Sequence, residues 1–251
     1  MNPTSWAVIL SIVEEFEVDV VVDTGDIVHQ GTTLENRYVD EISSVDAPYV
    51  YVRGNHDSAR TARAVAAEPN AIVLDGDVAE VAGLTFFGVA DPRFTPDKTA
   101  AELEDDDTRA AARQGADEAR ATGEDVDVAL MHNPIGAREL DGVAPVVLCG
   151  HMHARAREVL PGGSWLFQQG STGASGINAL RNEDPTPITL TVLYFDDRTG
   201  ELEAWDDITL GGLGLTSAEI ERHLAARFVE DPGEAPSITP APSSSTVESP
   251  G

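Results

Sequence analysis

The chain is poor in positive charge. Its 251 residues carry 44 acidic side chains against 16 basic ones, a formal charge of −28, and lysine is nearly absent. No basic stripe is available to displace counterions, so a nucleic-acid backbone is not an expected partner. The same balance disfavours docking on an anionic membrane. Cysteine is scarce as well: Cys149 stands alone, which excludes an intrachain disulfide and leaves the redox compartment open. No apolar run approaches the roughly 20 residues of a membrane-spanning helix. The N-terminus lacks the basic-then-apolar pattern of a signal peptide. A soluble, cytoplasmic chain is the default expectation, with tethering by residues upstream of Met1 as the alternative.

What is present is enough for one domain with a sizeable core, at 41% hydrophobic residues. Trp6, Ile9, Leu10, Val13 and Phe16 recur at helical spacing. Residues 18–23 (VDVVVD) form a short apolar run, as in a strand covered on both faces. Leu34, Tyr38 and Ile42 predict a second helix, with Thr32 and Glu35 spaced as a capping box. Strands are expected at 49–53, 71–74, 78–81, 84–89, 126–131 and 145–149, with a short helix over 58–66 and an exposed one over 99–122. The second half reads mostly as β, at 158–160, 165–168, 188–195 and 201–208, and 216–228 reads as a helix. From residue 230 Pro, Ser, Thr and Glu dominate, so the division is a domain over 1–229 and a disordered tail over 230–251.

Four short motifs lie where apolar runs end: Gly25-Asp26, Gly54-Asn55-His56-Asp57, Met131-His132-Asn133 and Gly150-His151-Met152-His153. Strand ends are where an α/β protein gathers distant residues into one crevice. Imidazoles with a carboxylate and a carboxamide suit a borderline divalent transition metal. Taken singly, each motif has a plain reading: a turn aspartate, a polar loop, a satisfied core histidine. All four in this order make coincidence a poor account. His29 reads as a loop or supporting histidine, His223 as surface, and Cys149 as packing. The acidic run 102–107 reads as a solvated helix face, lacking the glycine and ligand alternation of a calcium loop.

In order and spacing the motifs resemble the calcineurin-like metallophosphoesterase superfamily, over about residues 6–208. The resemblance implies a two-sheet α/β sandwich with flanking helices and a two-metal centre at the strand ends. It implies that Asp26 bridges the metals, that Asn55, His132 and His151 complete one metal site, and that His153 belongs to the other. It assigns His56 as the proton donor beside the leaving group and Asp57 as the residue that orients it. The implied reaction is hydrolysis of phosphomono- or phosphodiesters by a metal-activated hydroxide, with Mn, Fe, Zn or a similar ion. The expected partner is a phosphate-ester small molecule or a phosphorylated substrate. No Gly-x-Ser-x-Gly elbow supports acyl transfer.

The sequence departs from that pattern at one place. The family's opening Asp-x-His is absent, and the run 18–23 follows a helix with no strand before it. A parallel strand normally pairs with an earlier one through such a helix. The expectation is a chain that lacks its first strand, holds one metal ion where the complete enzyme holds two, and catalyses poorly. The alternative function is a truncated or non-catalytic metal- or ligand-binding module of the same fold.

Overall fold

The computed structural model describes residues 3–96, 103–173, 187–211 and 217–225. The chain opens with helix α1 (Pro3–Glu15), whose Trp6, Ile9 and Val13 face inward. Strands β1 (Val21–Asp23), β2 (Tyr49–Val52) and β3 (Ala71–Leu74) form a parallel three-stranded sheet. Between β2 and β3 lies α2 (Ala59–Val65), capped by Ser58, whose hydroxyl accepts from the Thr61 amide.

The largest sheet has six strands. In chain order they are β4 (Val78–Val81), β5 (Leu84–Val89), β6 (Val128–Met131), β7 (Val146–Cys149), β8 (Ala156–Val159) and β9 (Trp165–Gln168). β5, β6, β7 and β9 run parallel, and β4 and β8 close the edges antiparallel. The connection from β5 to β6 passes through α3 (Asp105–Thr122). Three aspartates in its first turn suit the positive end of the helix dipole. Glu104 and Asp107 make a reciprocal capping box, and Gly123 ends the helix in the left-handed conformation. A one-turn helix, α4 (Pro134–Ala137), follows β6. Strands β10 (Ile188–Phe195), β11 (Leu202–Leu210) and β12 (Ala218–Leu224) make a third, antiparallel sheet.

Period-2 alternation builds the layers. In β2, Tyr49 and Tyr51 face α1, while Val50 and Val52 face the other way. In β6, Ala129 and Met131 pack towards α3, while Val128 and Leu130 join Val50 and Val52. Trp205 of β11 and Phe167 of β9 complete that central layer. The result is the expected α/β sandwich, with helices outside and apolar sheet faces within.

Two sequence expectations are corrected. Residues 218–224, read as helical, form β12, paired with β11 from Ala204↔Leu224 to Leu210↔Ala218. Tertiary pairing overrides the helix propensity of Ala, Glu, Arg and Leu there. His223 is accordingly no surface residue of a helix: its ring stacks on Trp205 at 5.2 Å. The second helix is replaced by two 3₁₀ turns, Glu35–Tyr38 and Asp40–Ser44. Leu34 is exposed, and the only buried anchors of this stretch are Val39 and Ile42. Among the described residues β1 pairs with β2 and lies at its sheet's edge. The expected tail, 230–251, lies outside the described residues.

Candidate metal centre

Each predicted motif sits at the C-terminal end of a strand or just beyond it. Thr24-Gly25-Asp26 follows β1, Gly54 to Asp57 follow β2, His132 follows β6 and Gly150 to His153 follow β7. The first two loops touch backbone to backbone. Gly25 has φ +97°, and a Cβ there would lie 2.4 Å from the Gly54 amide nitrogen. A Cβ on Gly54 would in turn meet Asp26 Oδ1 at 2.3 Å. Both glycines are therefore required by close approach. Gly150 donates its amide to the His132 carbonyl at 2.8 Å, tying the other two loops together.

The ligand atoms of Asp26, His132 and His151 all lie within 4.8 Å of one another. His132 Nε2 is 3.1 Å from Asp26 Oδ2, and His151 Nδ1 is 3.3 Å from His132 Nε2. Asn55 Oδ1 joins the group, 3.0 Å from His151 Nδ1. His132 Nδ1 lies 2.7 Å from the Thr24 carbonyl, which can only accept, so that nitrogen carries the proton. The lone pair then sits on Nε2, aimed at the cluster. A ligating imidazole is commonly held in this way, by its other ring nitrogen. Four lone-pair donors converge on one point, and such a set fits a divalent cation.

The electrostatics follow from that convergence. Burial pushes the Asp26 carboxyl up, but hydrogen bonding and charge from His132 outweigh it and hold the group below its ordinary value. For His132, burial opposes the charged ring, yet the Asp26 contact raises the pKa. His151 is lowered by burial and by the neighbouring His132. Asp26 and His151 hold φ of 63° and 69°, and His153 holds 54°. Left-handed backbone at three non-glycine residues of one site is stored strain of the kind functional loops carry.

The remaining predicted residues are placed as follows. His153 is exposed and outside the 4.8 Å cluster, though it senses the Asp26 charge. Asp57 is fully buried and accepts from the amides of Asp26 (2.7 Å), Val28 (3.2 Å) and Gly54 (3.1 Å) and from the Tyr51 hydroxyl (2.8 Å). Burial, with the Asp26 and Asp23 charges, raises its pKa to about 6. The His56 ring bonds elsewhere: its Nδ1 is 2.7 Å from the His29 carbonyl. Asp57 thus fixes the Asp26 loop, and no direct contact joins its carboxylate to the His56 ring among the hydrogen bonds above.

Several residues at the site escaped the sequence reading. Thr95 accepts from the Asn55 side-chain amide and donates its own amide to the Asn55 carbonyl at 2.9 Å. This fixes the carboxamide with Oδ1 towards His151. Asp91, fully buried, is held by Arg93 at 3.2 Å, and Arg53 donates to its carbonyl at 2.7 Å. The usable signal was that Asp91-Pro92-Arg93 follows an apolar strand, as the four motifs do.

A family model for calcineurin-like phosphoesterases matches residues 3–155, the part of the chain that carries all four motifs. The chain belongs to the calcineurin-like phosphoesterase family. Among solved structures it is similar to a dimetal phosphatase from Danio rerio, at 12% identity and a TM-score of 0.47, with 88% of each chain covered. No curated protein sequence matches it. The matched region contains Asp26, Asn55, His132 and His151, and the family resemblance read from the motifs holds. No helix among the described residues is long and apolar enough to cross a membrane.

Proposed function

We propose that this chain hydrolyses phosphate esters at a divalent-metal centre held by Asp26, Asn55, His132 and His151. The observation that carries the reading is the convergence of Asp26 Oδ2, His132 Nε2 and His151 Nδ1, with the His132 proton held on Nδ1 and donated to the Thr24 carbonyl. A bound ion would supply Lewis acidity, acidifying water and neutralising phosphoryl charge. The protein's own groups do the rest. Asp57 fixes the Asp26 backbone, and Thr95 fixes the Asn55 carboxamide. Hydroxide, formed as water releases a proton to solvent, attacks phosphorus in line; the bond from phosphorus to the leaving oxygen breaks, and His56 as an imidazolium passes its Nε2 proton to that oxygen and regains one from solvent. His153, near Asp26 in charge though not in the cluster, is the residue proposed to flank a second ion. The acidic surface repels anionic substrates, so attraction to the site falls to the ion and to nearby Arg53 and Arg93.

Hydrolysis of bis(p-nitrophenyl) phosphate with Mn²⁺ tests this. The wild-type chain should turn over, and His151→Ala should lose about 100-fold or more. Equal rates in both would refute the site assignment. Metal binding without turnover would favour the non-catalytic module.

A further inference from the structure

His56 is held by residues that no motif names. Its Nδ1 lies 2.7 Å from the carbonyl of His29. Its ring also stacks on the ring of His29, with centroids 5.2 Å apart and planes at 10°. The carbonyl can only accept, so His56 Nδ1 must carry a proton. Nε2 is then the nitrogen left to face other groups.

The segment that presents His29 is pinned along its length. Asp57 takes the amides of Asp26 and Val28. Glu35 takes over at once, accepting from the amides of His29 (3.1 Å), Gln30 (3.2 Å) and Thr32 (3.0 Å) and from the Thr32 hydroxyl (2.8 Å). These donors hold the Glu35 carboxyl below its ordinary value against the opposing effect of burial. Ser58, two residues beyond His56, donates its hydroxyl to the Gly31 carbonyl at 2.9 Å. Gly31 has φ +63°, and a Cβ there would lie 2.9 Å from both Phe94 and Ser58. The loop is thus folded around one carboxylate and clamped to the loop that bears His56.

We propose that His29 and Glu35 are positioning residues for His56: Glu35 folds the 29–32 loop so that the His29 carbonyl and ring fix the tautomer and plane of the His56 imidazole. This rests on the reading of His56 as proton donor to the leaving group. An imidazole free to rotate would spend part of its time with the wrong nitrogen towards substrate. A single acceptor and a parallel ring remove that freedom. His29 itself is exposed and touches none of the metal-ligand atoms described above.

Imidazole ¹⁵N NMR of the full chain tests the positioning without turnover. In the wild type, neutral His56 should show the Nδ1–H tautomer. Glu35→Ala should shift it to a mixture of tautomers, and Glu35→Gln, which retains one acceptor, should restore it in part. His29→Ala keeps the carbonyl, so Nδ1–H should persist while the His56 ring signals move with loss of the stacked neighbour. Bound Mn²⁺ or Zn²⁺ per chain should be unchanged in all three variants. On hydrolysis, Glu35→Ala should lose about tenfold in kcat on alkyl phosphate esters, with little change on activated aryl esters and little change in KM. A wild-type Nε2–H tautomer, or a His56 spectrum indifferent to Glu35→Ala, would overturn the positioning. The predicted spectra with no hydrolysis by any form would leave the positioning standing and count against the phosphoesterase reading instead.

Discussion

Replacing Gly25 with alanine tests whether the site depends on two loops in backbone contact. The added Cβ would sit 2.4 Å from the Gly54 amide nitrogen, 2.7 Å from its Cα and 2.8 Å from the Val52 carbonyl oxygen. All three neighbours are backbone atoms, so no side chain can swing away. The φ of +97° adds a conformational cost of about 1–2 kcal/mol for an L-residue. Overpacking against rigid neighbours adds about 2–3 kcal/mol. Together they give about 3–5 kcal/mol, which for a domain of this size lowers Tm by about 6–20 °C. Gly83→Ala is the matched control: its φ is +79°, but nothing lies within 4 Å of its Cβ. That substitution should cost only the backbone term of about 1–2 kcal/mol, or about 2–8 °C. Scanning calorimetry of both variants isolates the close approach from the backbone strain. Metal affinity should fall in Gly25→Ala alone, because the clash separates Asp26 from Asn55. Equal losses of Tm in the two variants would refute the reasoning.

Asp207 is buried between Arg155, Arg157 and His223. Asp207→Ala leaves the Arg155 and Arg157 guanidinium groups without their shared partner and should cost about 3 kcal/mol in urea unfolding. Cys149 is buried, and desolvation pushes its thiol up to about 12 from 9.0. It should resist Ellman's reagent at pH 8 until the protein unfolds. The stability gained from keeping it protonated is intact below pH 9 and lost as the pH rises towards 12, so unfolding should become easier over that range. Cutting the chain after Phe228 should leave Tm nearly unchanged, because the Pro- and Ser-rich segment beyond it has too few apolar residues to offset the entropy of ordering.

Much of this was legible in the sequence for physical reasons. β3, β4, β5, β9 and β10 fall on the expected runs, because each is a short apolar stretch bounded by polar or glycine turns. The meeting of Asp26, Asn55, His132 and His151 was legible because each stands in a motif at a strand end, and residue type at strand ends is what a sequence displays. β12 was not legible. Ala-Glu-Ile-Glu-Arg-His-Leu favours a helix locally, and only pairing with β11 and the stacking of His223 on Trp205 make it a strand. The role of Glu35 was half visible. Its spacing from Thr32 suggested a helix cap, and the Thr32 contact does form. The carboxylate also gathers His29 and Gln30, which no periodic pattern could reveal, since loop geometry is set by backbone amides of any residue type. His29 acts in part through its carbonyl, an atom every residue has. Thr95 reaches Asn55 across 40 residues of sequence, through loops whose meeting depends on the finished fold.

Metal content tests the central claim most directly. The purified chain should be dialysed against Mn²⁺ or Zn²⁺, then against metal-free buffer, and its bound metal counted by mass spectrometry. The geometry predicts one tightly held ion per wild-type chain, and loss of that ion in His132→Ala and in His151→Ala while both variants remain folded by circular dichroism. A wild-type chain that retains no metal, or folded variants that retain as much as the wild type, would contradict the assignment of Asp26, Asn55, His132 and His151 as its ligands.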